Sequence, residues 1–240
     1  MIDIEKAIRE VTEELAGTSI NVPSGLEHSL LNVGLTCEEL LTECHMARTL
    51  QIGAVCVAPY YTSEAAEVLA GSSVAVCTAV GFPSGFMSTE AKAADVCACI
   101  MQGACEIDLA IDIAAVKSGN FAKAEKDFLY AVEAAKERAV IKAVFEHGSY
   151  DNYEKERVLR LIERSGVPYL KIQNMTSGHG ARAEDISLVK DILGHKIKIK
   201  IDGGVKTLGQ AMELFRAGAN RIGLTATKAV AEEAIKATGR

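Results

Sequence analysis

Two lysines stand inside segments that otherwise read as buried β-strands. Lys171 interrupts "VPYLKIQN", just before the Gly-rich loop "SGHGA", and Lys200 lies near the end of "KIKIKIDGG". A lysine is seldom fully buried unless it is paired or used. Its amine attacks a carbonyl only when neutral, and partial desolvation or a second nearby cation lowers its pKa from about 10.4 towards that state. Asp108, in "EIDLAID", adds a carboxylate on a central strand. Two lysines and a carboxylate are a minimal machine for carbon–carbon bond cleavage through an iminium. The iminium is the electron sink, and the carboxylate–lysine pair moves protons through a bound water.

Each residue also has a plainer reading. Side chains alternate along a strand, so Tyr169, Lys171 and Gln173 share one face, as do Lys196, Lys198, Lys200 and Asp202. Alternating Lys and Ile also describes a half-exposed antiparallel strand. Asp108 could cap a helix or pair with a structural lysine such as Lys142, with Asp112 the next acid along its face. "DGGVKT" and "RIGLT" bring Gly203, Gly204 and Gly223 to the ends of the last two strands. There, backbone N–H groups suit an anion such as phosphate, or the glycines simply form tight turns. Cys56 reads as a buried thiol with no matching His. His179, in the loop, reads as solvent-facing although it could touch a substrate.

These residues need a frame. Strand-like runs fall at 25–32, 53–59, 72–83, 106–113, 140–147, 169–174, 197–204 and 220–225. Helical patterns such as "TEAKAADVCACIMQGA" and "LGQAMELFRAGA" lie between them, and both end in Gly-Ala before a strand. About eight strand–helix repeats predict a parallel sheet, either a closed (β/α)₈ barrel or a doubly wound open sheet. The strand count, the chain length and the lack of G-x-G-x-x-G after the first strands favour the barrel. Its chemistry would then sit at the C-terminal ends of the strands.

The 240 residues, 49% of them hydrophobic, suit one domain over 1–240, with a charged amphipathic helix at about 1–16. The net charge of −6, with no long basic block, argues against nucleic acid as a partner. No apolar run reaches the roughly 18 residues that span a bilayer. Seven cysteines without a C-x-x-C pair predict a reducing cytoplasm and no structural zinc. Cys56, Cys77, Cys97, Cys99 and Cys105 read as small buried hydrophobes.

"LEHSLLN", "GAVCVAP", "AVGFPSGFMSTEAKAADV", "GACEIDLAID", "IKAVFEH", "YLKIQN", "KIDGGVKT" and "AGANRIG" resemble, in order and spacing, the deoxyribose-phosphate aldolases over about residues 25–225. That resemblance implies a class I aldolase on a (β/α)₈ barrel. It would cleave 2-deoxy-D-ribose 5-phosphate to acetaldehyde and glyceraldehyde 3-phosphate, with no metal or organic cofactor. It carries over Lys171 as the Schiff-base lysine, Lys200 as its tuning partner, Asp108 as the proton-relay aspartate, and Gly203 and Gly204 as the phosphate glycines. Dimers or higher assemblies are also implied.

The sequence departs from that pattern at the substrate-holding end. Ile172-Gln173-Asn174-Met175-Thr176 replaces a hydroxyl- and glycine-rich turn, and Leu224-Thr225-Ala226-Thr227 replaces Thr-Ser-Ser-Gly. Asp202 stands where Ser or Ala is usual, Asp112 where Asn or an apolar residue is usual, and Glu27 replaces Asp. If unpaired, Asp202 and Asp112 would oppose a dianion, unless Lys198, Lys206 or Arg182 neutralised them. Two other readings therefore stand beside the first. One is a Schiff-base aldolase for a different, non-phosphorylated carbonyl, with Gln173, Asn174 and Asp202 binding hydroxyls or an amine. The other is a barrel that binds a sugar phosphate without turnover.

Overall fold

Eight parallel strands close on themselves in chain order in the computed structural model, which describes residues 21–174, 180 and 182–238. They are β1 (Leu26–Leu30), β2 (Ala54–Val57), β3 (Ala75–Val80), β4 (Glu106–Ala110), β5 (Val140–Glu146), β6 (Tyr169–Gln173), β7 (Lys198–Asp202) and β8 (Arg221–Leu224). Each lies inside a run expected from the sequence, and β8 returns to pair with β1. The open-sheet alternative is thereby excluded. Strands covered on both faces need not alternate apolar and polar residues, which is why β2 and β4 are buried at every position.

A helix of eight residues or more follows each strand: α1 (Cys37–Thr49), α2 (Thr62–Leu69), α3 (Thr89–Met101), α4 (Phe121–Ala135), α5 (Asn152–Ser165), α6 (Ala183–Leu193), α7 (Leu208–Ala217) and α8 (Thr227–Thr238). Local signals set their ends. Thr36 with Glu39 and Asp151 with Glu154 form capping boxes at the starts of α1 and α5. Gly218 ends α7 in the left-handed region, at φ 105°, where a residue with a Cβ is strained. Among the described residues, no helix is long and apolar enough to cross a membrane. The helix expected at 1–16, and Met175, Thr176 and His179, lie outside the described residues.

The strands sort their side chains into two populations. Ile107, Leu109, Leu170, Ile172, Ile199, Ile201 and Ile222 join the apolar layer under the helices. Their neighbours along each strand point into the barrel, and many of those carry charge. Lys200 is fully buried on a parallel strand, so the half-exposed antiparallel reading of "KIKIKID" fails. Two cysteine expectations also need correction: Cys105 is exposed and Cys97 is only half-buried. Cys56 and Cys77 are buried in a small apolar cluster with Ala79, as expected, and their thiols also point at the Asp108 carboxylate.

Candidate active site

Strand register decides which charges meet. Lys171 on β6 lies opposite Lys200 on β7, and Asp108 on β4 lies opposite Lys142 on β5. Two adjacent ammonium groups repel unless an anion bridges them. Asp108 does so across the barrel, its Oδ2 accepting from Lys171 Nζ at 2.8 Å and Lys200 Nζ at 2.6 Å. Lys142 Nζ approaches its Oδ1 at 3.3 Å. Asp108 thus pairs with Lys142, as its structural reading has it, and the same carboxylate also holds Lys171 and Lys200.

The network continues in both directions. Below, Lys142 lies 3.0 Å from Glu27 and 2.5 Å from Glu106, and Arg221 pairs with the same two acids. Lys200 also donates to Glu27. Above, Asp202 Oδ2 lies 2.7 Å from Lys171 Nζ, and its Oδ1 lies 3.7 Å from Lys200 Nζ. Four acids (Glu27, Glu106, Asp108, Asp202) thus face four cations (Lys142, Lys171, Lys200, Arg221). Balance matters here, because an uncompensated ion in a dry interior costs several kcal/mol.

The local field overturns the expectation that the Lys171 pKa falls towards neutrality, although Lys200 itself does pull it down. Burial, the strongest single influence, does pull the Lys171 pKa down. The carboxylates of Asp108 and Asp202 outweigh it, and the net shift is upward. Lys200 is raised for the same reason, and Lys142 is raised because Cys77, Glu27 and Asp108 together overcome its burial. Burial pushes Glu27 up, but Lys142 and Lys200 bring it down to about 2, and Asp108 falls well below the carboxylate range. The resting form of Lys171 is an ammonium.

These shifts predict the pH range of the fold. A depressed carboxylate stabilises above its unfolded pKa, and that contribution fades as pH falls through the folded value. A raised lysine stabilises below its unfolded pKa and loses its effect only as pH rises through the folded one. The urea midpoint is therefore expected to be flat from about pH 5 to 10 and to fall steadily between about pH 4.5 and 2. A midpoint unchanged down to pH 2.5 would contradict the assignment.

Lys171 opens upward into a cavity of about 530 Å³ at the C-terminal ends of the strands. Ser29, Phe82, Gln173, Asp202, Lys206 and Thr225 line it, together with Gly180, Gly203, Gly204 and Gly223. Gly203 and Gly204 both have positive φ, 112° and 75°, which favours glycine at this turn. A Cβ on Gly223 would fall 1.9 Å from Asp202 Oδ1, so its absence makes room for that carboxylate. A second cavity of about 340 Å³ shares Gly180, Gly203 and Gly204 and adds Arg182 and Glu213.

The residues singled out in the sequence mostly converge. Lys171, Gln173, Asp202, Gly203, Gly204 and Gly223 line the cavity, with Lys200 and Asp108 directly beneath. Gln173 is already engaged, its amide donating to Glu146 at 2.9 Å. Asp112 is a correction. Strand β4 stops at Ala110, and Asp112 instead caps a short helical turn, accepting from the Ala115 N–H at 3.0 Å. The expected counter-ions of Asp202 also change, from Lys198, Lys206 or Arg182 to Lys171 and Lys200. Lys198 instead sits 5.5 Å from the Tyr169 ring.

Glu27, Glu106 and Arg221 were not picked out as site residues in the sequence, and Lys142 was seen only as a structural partner. Their common signal is a charge at an inward strand position. The ligand atoms of Glu27, Cys56, Cys77 and Asp108 cluster within 4.8 Å, a spacing that could suit a metal. Lys142 Nζ already fills part of that space, 3.2 Å from Cys77 Sγ, and burial pushes the Cys77 thiol up, away from the thiolate a metal needs.

A family model described as histidine biosynthesis protein matches residues 129–238, the stretch carrying β5 to β8. A deoxyribose-phosphate aldolase of Bacillus cereus (strain AH187) is 36% identical over 211 residues, covering 88% of this chain and 95% of its own length. That of Bacillus anthracis (strain A0248) is 35% identical over the same shares. Among solved structures, QR15, an aldolase, superposes with a TM-score of 0.85 at 27% identity, covering 90% of this chain and 97% of its own. The deoxyribose phosphate aldolase of Aeropyrum pernix, described as tetrameric, shares the fold at 21% identity and a TM-score of 0.81, over 95% and 96% of the two chains. With these relatives and this barrel, the chain belongs to the deoxyribose-phosphate aldolase family and is an aldehyde-lyase.

Proposed function

We propose that the protein cleaves 2-deoxy-D-ribose 5-phosphate to acetaldehyde and D-glyceraldehyde 3-phosphate through an iminium on Lys171. The observation that carries this reading is the place of Lys171 Nζ. It lies between two carboxylates, with Lys200 adjacent, at the floor of an open cavity. An ammonium and a protonated iminium bear the same charge. The buried network is therefore as balanced in the covalent intermediate as at rest, and only the brief neutral amine disturbs it.

Lys200 and Asp108 form the relay. Asp108 touches both lysines through one oxygen, so a proton can pass between them without crossing solvent. The phosphate would lie against Gly203, Gly204 and Gly223, with Lys206 and Arg182 supplying positive charge at the two connected cavities. No step calls on a metal or organic cofactor. A homo-oligomer in the cytoplasm fits the seven free cysteines and the Aeropyrum pernix relative.

One observation favours a neutral substrate instead. Asp202 places a carboxylate in the cavity wall. Its charge is paired with Lys171, so it opposes phosphate less than a free acid would, and the phosphorylated sugar remains the preferred reading. The test is intact mass spectrometry after acetaldehyde, deoxyribose 5-phosphate or unphosphorylated deoxyribose, each with borohydride, followed by peptide mapping. Reduced adducts on Lys171 are expected with acetaldehyde and the phosphorylated sugar. Adducts with acetaldehyde and deoxyribose but not its phosphate would select the neutral substrate. No adduct on Lys171 with any of the three would remove the Schiff-base mechanism.

A further inference from the structure

We propose that Asp202 is a catalytic residue, the acid–base group that takes the proton from Lys171 and serves the iminium-forming steps. This rests on the Schiff-base reading and adds a residue to it. Asp202 is the carboxylate that touches both the nucleophile and the cavity. Its Oδ2 is 2.7 Å from Lys171 Nζ, within proton-transfer reach, and its side chain is 15% exposed. Asp108 touches the same amine but is fully buried, and its two oxygens are committed to three lysines. Among the described residues, no donor hydrogen-bonds to Asp202 Oδ1, although that atom is buried. One oxygen thus holds the nucleophile, and the other, packed against Gly223, is left without a hydrogen-bond donor among the described residues.

The steps balance. Asp202 takes a proton from the Lys171 ammonium, and the freed lone pair forms the N–C bond as the carbonyl π pair moves to oxygen. The acid form of Asp202 protonates that alkoxide. The regenerated carboxylate then removes one proton from the nitrogen, giving a neutral carbinolamine. Asp202 finally returns this proton to the hydroxyl, the C–O bond breaks, water leaves and nitrogen supplies the pair for C=N. Ammonium and carbonyl have become iminium and water, and Asp202 is again a carboxylate. The charged groups facing it throughout are Lys171 on β6, Lys200 on β7 and Lys206 at the cavity wall, with Gly223 on β8 leaving space.

The test measures the rate at which acetaldehyde is trapped on Lys171 by cyanoborohydride between pH 6 and 9. Wild type, D202N and D202A are compared as full chains, with melting temperatures recorded. In D202N the rate at pH 7 is expected to fall about 10²-fold or more, the lower end of what general acid–base catalysis contributes. It should then climb with pH as hydroxide replaces the missing base. In D202A, added formate should restore part of the rate, because a small carboxylate can occupy the vacated space. D202N trapping within about threefold of wild type at every pH would overturn the proposal. So would a loss with an unchanged pH profile and no formate rescue, which is the mark of a structural role. If wild type itself is not trapped, the Schiff-base reading fails and this proposal falls with it. Normal wild-type trapping beside an unimpaired D202N rejects the Asp202 role alone.

Discussion

Replacing Lys171 with Arg is expected to abolish the borohydride-trapped adduct and to lower turnover by on the order of 10⁵-fold, the scale on which losing a covalent nucleophile acts. A guanidinium stays protonated at every accessible pH, so it has no lone pair to offer a carbonyl. It does keep the positive charge that Asp108 and Asp202 require at this point. The variant therefore isolates the chemistry from the electrostatics. Lys171 is fully buried, and the larger head group is expected to cost about 1–3 kcal/mol of overpacking without undoing the barrel. Lys171→Met would retain the length and lose the charge, leaving Asp202 with Lys200 at 3.7 Å as its nearest cation. It should be less stable than Lys171→Arg. An Arg variant turning over within about tenfold of wild type would place the nucleophile elsewhere, with Lys200 the first alternative.

The parts of this site that were legible in the sequence are those that violate local expectation. Strands covered on both faces read as apolar runs, so Lys171, Lys200 and Asp108 stood out as charges where none belongs. Glu27 and Glu106 sit at the first or second residue of their strands, and Lys142 follows an exposed strand start. Charges at such positions resemble ordinary strand ends. They are recognised as one network only once β8 closes onto β1 and brings Glu27 within reach of both Lys142 and Lys200.

Two of the overturned expectations have related causes. Period-two alternation put Asp112 on the face of Asp108, but alternation is meaningful only while the strand lasts, and β4 ends two residues earlier. The acidity of Lys171 was judged from the neighbour visible in the sequence, Lys200. Its sign is set by two carboxylates, one across the barrel and one on the adjacent strand. A like charge nearby lowers a lysine pKa, as Lys200 does here, but the carboxylates in contact with the amine decide the net sign, and that is a statement about distances.

The same distances make Asp108 the most consequential acid in the barrel. Asp108→Asn removes one negative charge from four acids facing four cations and leaves the interior with a net positive charge. It also directs an amide at ammonium groups that it cannot satisfy as an anion would. Breaking a buried ionic cluster this way costs about 3–5 kcal/mol. At roughly 2–4 °C per kcal/mol for a chain of this size, the melting temperature should fall by about 6–20 °C. The chemistry should split in two. Asp108 opposes the effect of burial on Lys171, so its loss moves Lys171 towards the neutral amine, and acetaldehyde should be trapped at lower pH than in wild type. Turnover should nonetheless fall by about 10²–10⁴-fold, because the oxygen shared by Lys171 and Lys200 no longer carries a proton between them. Easier capture with slower turnover is the signature of a relay. An unchanged melting temperature would mean that Asp108 is not the counter-ion of the lysine cluster. Trapping and turnover falling in parallel would mean that it acts only by holding Lys171 in place.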